Sequence, residues 1–214
     1  MIRAVFANIT EADLRALITN EVREGKMIDY KRSLPGSADK DKKEFLADVS
    51  SFANTAGGDL IFGVAEVQGV PTDIVGVDVV DLDMELRRLD SIIASGLDPR
   101  IRYSMRLVDC ANNRRVVVIR CEHSWVGPHR VIFQEHDKLY GRNSAGKYPL
   151  DVGELRAAFT LSATTTDRIV GFRTDRIIAL SNNDAPIPFV SDPKIVLHCI
   201  PIEAFAGSAL NLCG

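Results

Sequence analysis

The segment of residues 39–58 limits the possible folds more than any other part of the chain. Apolar residues repeat at helical spacing over residues 39–54, and two glycines, Gly57 and Gly58, follow directly. The next run, residues 60–65, is apolar almost without interruption, which is typical of a buried strand. The helical stripe consists of Phe45, Leu46, Val49, Phe52 and Ala53, with Lys40, Lys43, Glu44 and Asp48 away from it. We therefore predict an amphipathic helix, a glycine stop and a buried strand.

The flanking segments predict an alternation of helices and short strands. Helices are expected at residues 10–23, 83–95 and 151–161, the first of them capped by Thr10. Strands are expected at residues 28–32, 74–77, 129–134 and 138–141, and residues 101–108 and 115–121 are expected to form a hairpin. Residues 69–71 are expected to form a turn. The predicted fold class is α+β (mixed α/β), with a central, mostly antiparallel sheet and helices packed on it.

The texture of the sequence changes after Leu161. Residues 163–166 are expected to be a linker, residues 167–180 a helix, residues 181–188 a turn-rich break and residues 194–200 a strand. We predict one domain at residues 1–161 and a C-terminal extension, or the start of a further domain, at residues 162–214.

Composition excludes several classes of protein. Of the 214 residues, 46% are hydrophobic, which argues against intrinsic disorder. The longest aliphatic run, residues 116–119, is far shorter than the ~20 residues that span a bilayer, and no secretory signal is visible. Because no signal is visible, a cytoplasmic location is expected. The four cysteines lack CxxC spacing, so reduced thiols are expected. The net charge is −3, so any nucleic-acid role must depend on a local basic patch.

The candidate catalytic residues are Glu24, Asp29, Lys31 and Glu66. Asp29 and Lys31 stand two residues apart on a predicted strand, so their side chains share a face. A carboxylate beside a lysine suits phosphodiester hydrolysis, with the acid holding a divalent cation and the lysine acting at the phosphate. Glu24 and Glu66 complete a set of three acids that is expected to converge at one sheet end. The alternative is a surface ion pair of little energetic value.

Basic residues concentrate between residues 100 and 147, which predicts either a positive face for nucleic acid or a solvated sheet face. The residues selected as nucleic-acid contacts are Arg32, Arg130, Arg142 and Lys147. The Gly57–Gly58 pair follows a helix and precedes a strand, which is the wrong order for a phosphate-binding loop.

Several segments together resemble the Schlafen AlbA-like domain, which is also described in bacteria as a divergent-AAA domain. They are residues 28–33 (IDYKRS), 43–58 (KEFLADVSSFANTAGG), 60–64 (LIFGV), 74–77 (IVGV), 127–129 (GPH) and 140–146 (YGRNSAG). The resemblance covers about residues 10–160. Vertebrate relatives with nuclease activity carry three metal-binding acids, and the resemblance places these on Glu24, Asp29 and Glu66. Asp29 and Glu66 exchange acid type relative to the commonest pattern.

The resemblance implies a metal-dependent endoribonuclease that acts on tRNA or other structured RNA in bacterial defence or stress. Mg²⁺ or Mn²⁺ is the implied cofactor, and a homodimer is implied because the vertebrate core uses two such lobes as a clamp. The alternative is a non-catalytic DNA- or RNA-binding module of a larger regulatory or effector protein. A third hypothesis, ATP binding, lacks the GxxxxGK[ST] motif that it requires.

Overall fold

A computed structural model of the chain describes residues 1–79, 81–111, 113–184 and 197–205. It divides into two compact units, residues 1–152 and 153–214. The helices are α1 (Glu11–Thr19), α2 (Asp39–Ala53), α3 (Leu82–Gly96) and α4 (Val152–Ser181), with short 3-10 helices at Phe6–Asn8 and Ile202–Phe205. The strands are β1 (Ile28–Lys31), β2 (Gly58–Phe62), β3 (Val64–Val67), β4 (Val70–Ile74), β5 (Leu97–Asp98), β6 (Tyr103–Cys110), β7 (Arg114–Cys121), β8 (Arg130–Val131), β9 (Lys138–Asn143) and β10 (Gly146–Pro149). The predicted α+β class is confirmed.

The first unit is built on a four-stranded sheet in the order β1-β2-β7-β6. Only the β1–β2 pair is parallel, so this sheet is mostly antiparallel as predicted. All residues of β2 are buried. Because strand side chains alternate between faces, Leu60 and Phe62 enter a core with α2 and α3, while Ile61 enters a second core with α1. The continuous apolar run is thus explained by burial on both faces.

The predicted strand at residues 60–65 is two strands. Gly63 separates β2 from β3 with a φ of +98°, a conformation that side chains rarely adopt. The β3–β4 hairpin that follows is a sheet of its own. Its turn is formed by Gln68 and Gly69, both at positive φ, so β4 already includes the Val70 and Pro71 predicted as a turn. Glu66 therefore belongs to the β3–β4 hairpin and not to the main sheet.

Helix α1 is shorter than predicted, although its cap is as expected. Thr10 forms a capping box with Asp13, and the helix ends at Thr19 instead of residue 23. Glu21 adopts a φ of +49°, and the Val22 amide donates to the Leu17 carbonyl oxygen. This closing turn brings the chain back toward β1.

A second sheet has the order β10-β9-β8-β5. Its two outer strands, β10 and β5, were not predicted. Asn54, just after α2, holds this sheet against the helix. Its amide nitrogen donates to the carbonyl oxygens of His129 and Tyr140, each at 2.9 Å, and its Oδ1 accepts from the His129 amide at 2.7 Å. The end of α2 therefore fixes the position of β9, which carries Arg142.

Helix α4 runs without a break across residues 163–166, so the linker prediction was wrong. Thr164 and Thr166 donate their hydroxyls to the carbonyl oxygens of Thr160 and Ser162, at 2.9 and 3.2 Å. These local bonds satisfy the threonine side chains within the helix. The domain assignment at residue 161 falls inside α4 and stays a prediction.

The predicted strand at residues 194–200 lies partly outside the described residues. Residues 197–200, which are described, have no regular secondary structure. Within the described residues, no helix is long and apolar enough to cross a membrane.

Candidate functional site

A cavity of about 480 Å³ opens where β1, α2 and the β9–β10 hairpin meet, and we call it the charged pocket. Its wall also includes the loop after α1 and the β3–β4 turn. The lining residues are Arg23, Glu24, Asp29, Lys31, Glu44, Asp48, Gln68, Gly69, Arg142, Ser144, Ala145, Gly146 and Lys147. Positive and negative side chains are therefore mixed on its wall.

Asp29 and Lys31 share a face of β1, as their spacing predicts. The Lys31 Nζ donates to Asp29 Oδ1 at 2.9 Å. Asp29 is 4% exposed, whereas the Lys31 side chain is 36% exposed. The carboxylate is thus part of the interior, and the ammonium faces the pocket.

Arg142 is the second partner of Asp29. Its Nη2 pairs with Asp29 Oδ2, its Nε donates to the Gly25 carbonyl oxygen at 2.8 Å, and its Nη1 is 3.5 Å from Asp48 Oδ1. The guanidinium carbon lies 4.3 Å from the centre of the Phe52 ring. Arg142 is only 3% exposed, so this buried arginine joins β9, β1 and α2.

Asp48, on α2, is the residue of this site that sequence reasoning missed. We expected it on the solvent side of the helix, but it is 2% exposed. Its Oδ1 accepts from the Lys147 Nζ at 2.7 Å, and its Oδ2 is 4.0 Å from the Lys31 Nζ. The Asp48 carboxylate therefore lies between the two lysines of the pocket, with one oxygen facing each ammonium group. An isolated acid near the edge of an apolar stripe gives no local signal for such a role.

Burial and ion pairing act in opposite directions on the pKa values of the site. Burial alone would raise the pKa of Asp29, but the Arg142 and Lys31 cations outweigh it and lower that pKa. Burial raises the pKa of Asp48 despite the opposing cations of Lys147 and Lys31. Burial would lower the pKa of Lys31, but the carboxylates of Asp48 and Asp29 raise it. Asp29 and Lys31 are therefore held in their charged forms.

Glu24 lies in the same pocket, half-buried beside Asp29. Its Oε1 accepts from the Tyr30 amide at 2.9 Å, and its backbone amide donates to the Gly69 carbonyl oxygen at 2.7 Å. Burial raises the pKa of Glu24 to about 7, with the neighbouring Asp29 carboxyl group adding to the effect.

Glu66 does not line the charged pocket. It is exposed on β3, and its Oε2 accepts from the Gly69 amide at 2.5 Å. The structure thus brings Glu24 and Asp29 together but not all three predicted acids. Across the parts of the chain that the structure describes, no group of three or more His, Cys, Asp and Glu is placed to hold a metal ion.

The four predicted nucleic-acid contacts are divided between different surroundings. Lys147 and Arg142 line the charged pocket, with Arg142 buried. Arg32 is exposed next to β1 and does not line the pocket. Arg130 is half-exposed and contacts Asp98 and Asp137 at 3.3 and 3.5 Å. Their roles in binding stay predictions.

A family model described as Schlafen, AlbA_2 matches residues 24–151. The chain belongs to the Schlafen AlbA_2 family. The match extends from Glu24 to the segment just after β10, so it includes every residue that lines the charged pocket except Arg23.

Two solved structures are similar to this Schlafen AlbA_2 chain. A Corynebacterium diphtheriae protein has 20% identity and a TM-score of 0.44, and the alignment covers 66% of this chain but 26% of that one. The N-terminal domain of a RecG-related protein from Nitrosomonas europaea has 27% identity and a TM-score of 0.42, covering 54% of this chain and 74% of that one. A comparison with curated proteins found no match.

Replacing Arg142 tests whether it neutralises the buried acids of this Schlafen AlbA_2 site. Arg142→Met leaves Asp29 and Asp48 buried without their guanidinium partner, so we expect a loss of about 3–5 kcal/mol in the free energy of unfolding. The free energy of unfolding is measured by urea denaturation, with the fluorescence of Trp125 as the signal. Trp125 is the only tryptophan in the sequence and lies in the first unit. Arg32→Met, an exposed neighbour, is the control and should change stability by less than about 0.5 kcal/mol. Equal effects of the two substitutions would show that Arg142 carries no structural ion pair.

Proposed function

We propose that the first unit binds nucleic acid and that the charged pocket receives a phosphate of the backbone. Membership of the Schlafen AlbA_2 family supports this proposal, because the family match covers the segments that build the pocket. The observation that carries it is the position of Lys31 and Lys147, whose ammonium groups meet at the Asp48 carboxylate on the pocket wall.

Lys31 is suited to contact a phosphate. Its ammonium group donates to Asp29 and lies 4.0 Å from Asp48. An ammonium group carries three hydrogen-bond donors, so donors remain for a ligand oxygen at this exposed side chain. Asp29 and Asp48 fix the position of the charge, so little conformational entropy is lost when a phosphate binds.

Salt dependence tests the binding proposal. Labelled single-stranded RNA and DNA are titrated with the protein at several salt concentrations, and fluorescence anisotropy gives the affinity. We expect the affinity to fall as salt rises, and Lys31→Met and Lys147→Met each to reduce the slope of log K against log salt by about 1.

Lys138→Met is the matched control, because Lys138 is exposed at the start of β9 and outside the pocket. Its slope should equal that of the wild type. If the two pocket variants also keep the wild-type slope, the charged pocket is not where the backbone binds. The same titrations compare RNA with DNA.

Metal-dependent cleavage of RNA is a second candidate function, and the pairing of Glu24 with Asp29 favours it. Mg²⁺ is commonly held by one or two carboxylates together with waters and substrate phosphate oxygens, and Glu24 and Asp29 provide that number of carboxylates. Both oxygens of Asp29 already accept hydrogen bonds from Lys31 and Arg142, so Glu24 would be the main protein ligand. When bound, Mg²⁺ or Mn²⁺ supplies stabilisation of the negative charge that develops at the phosphate. Lys31 would donate a hydrogen bond to a non-bridging phosphate oxygen.

Cleavage of tRNA with Mn²⁺ tests this candidate and separates Glu66 from the other acids. We expect Lys31→Met to lower the rate about a hundredfold, since it removes a positioned donor at the phosphate. Asp29→Asn should also abolish most of the activity. Glu66→Gln should keep the wild-type rate, because Glu66 does not line the pocket.

Equal cleavage by the wild type, Lys31→Met and Asp29→Asn would reject the catalytic roles and leave nucleic-acid binding as the function. The homodimer expected from the resemblance stays a prediction, which the mass of the protein in solution tests.

A further inference from the structure

A second cavity, of about 260 Å³, lies next to the charged pocket. The two cavities share Lys31, Glu44 and Asp48 on their walls. The remaining lining is different in character, because it is formed by apolar side chains with a few polar groups. It consists of Ser33, Leu34, Pro35, Gly36, Asp41, Phe45 and Phe62.

The apolar lining belongs to the rigid core of the first unit. Phe45 and Phe62 are 2% and 3% exposed, and their ring centres lie 6.0 Å apart. Leu34 packs against the same core cluster. The apolar surface that remains open in the cavity is that of Leu34 and Pro35, which are half-buried, and a flat ring can pack against them.

The wall at residues 35 and 36 is held in place from outside the cavity. Arg88, on α3, donates to the carbonyl oxygens of Pro35 and Gly36 and also pairs with Glu85. The cavity is thus formed before a ligand arrives, and no ordering of this segment is needed for binding.

Asp41 provides the polar group that selects a ligand. A Cβ atom at Gly36 would collide with Asp41 Oδ2, so the carboxylate lies directly against the glycine. An ionised carboxylate only accepts hydrogen bonds, so its partner in the cavity must be a donor. Glu44, shared with the charged pocket, is instead paired with the Lys147 ammonium group.

The geometry points to a base-binding subsite: the second cavity takes a nucleobase that bears an exocyclic amino group, while its phosphate occupies the charged pocket. This inference rests on the proposed function, because it needs the backbone to bind beside Lys31. Adenine, cytosine and guanine carry an amino group with two donor hydrogens, whereas thymine and uracil offer only a ring N–H. The shared wall suits a nucleotide, in which base and phosphate are joined through one sugar.

The test compares single-stranded homopolymers of adenine, cytosine and thymine, titrated with the full chain by fluorescence anisotropy. The wild type should bind the adenine and cytosine polymers about fivefold or more tightly than the thymine polymer, which corresponds to one hydrogen-bonded contact to a base. Asp41→Ala should bring the three affinities close together, because alanine has no side-chain acceptor for the amino group.

Asp39→Ala is the matched control. Asp39 and Asp41 both lie in the first turn of α2, so each substitution removes the same charge from the same helix end. Asp39 instead bonds with Gln134 and does not line the cavity. It should therefore leave the preference for amino-bearing bases at its wild-type value.

Equal affinity of the wild type for all three polymers, with binding still sensitive to salt, would overturn the base subsite and leave the proposed function intact. An unchanged preference in Asp41→Ala would also overturn it. If no polymer binds at all, the proposed function fails, and the base subsite fails with it.

Discussion

The buried ion pair between Asp29 and Arg142 is the interaction on which the rest of the site depends. Asp29 belongs to the main sheet and Arg142 to the second sheet, and both side chains are almost fully buried. Burying two charges is costly unless they pair with good geometry and their other hydrogen-bonding groups are satisfied. Arg142 meets this condition in part. Asp29 and the Gly25 carbonyl oxygen accept hydrogen bonds from it and the Phe52 ring covers its face, whereas its buried Nη1, 3.5 Å from Asp48 Oδ1, has no hydrogen-bond partner among the described residues. The pair therefore fixes the second sheet at one place on the first.

The same arrangement explains why the pocket contains both signs of charge. Asp29 and Asp48 are compensated inside the protein by Arg142, while Lys31 and Lys147 extend from these acids to the pocket wall. The acids thus act as fixed anchors for the lysines. Such preorganisation lowers the cost of binding a phosphate, because the cations already occupy their positions in the unbound protein.

Local patterns in the sequence identified the strands and helices that carry the site, but they did not reveal how these elements are arranged in space. The period-two spacing of Asp29 and Lys31 correctly placed them on one face of a strand, and the apolar stripe of α2 and the buried run of β2 were also found. Each of these depends on residues that are close along the chain.

The misplacements arose where long-range contacts decide the structure. Arg142 was expected as a surface contact for nucleic acid, but its partner Asp29 lies 113 positions away, and no local pattern reveals that pairing. Asp48 was expected in solvent because no local pattern reveals its contacts with Lys147 and Arg142, which lie far away along the chain. Glu66 was expected beside Asp29 because residues 60–65 were predicted as one strand. Gly63, at a positive φ, divides this segment into β2 and β3, and a single glycine in the sequence does not reveal that division.

A double-mutant cycle between Asp29 and Arg142 tests the central claim most directly. The free energy of unfolding is measured for the wild type, Asp29→Asn, Arg142→Met and the double variant. If the pair organises the site, the double variant is more stable than the sum of the single losses predicts, by about 1–3 kcal/mol. Additive losses, within about 0.5 kcal/mol, would show that the two side chains do not depend on each other and would contradict the account.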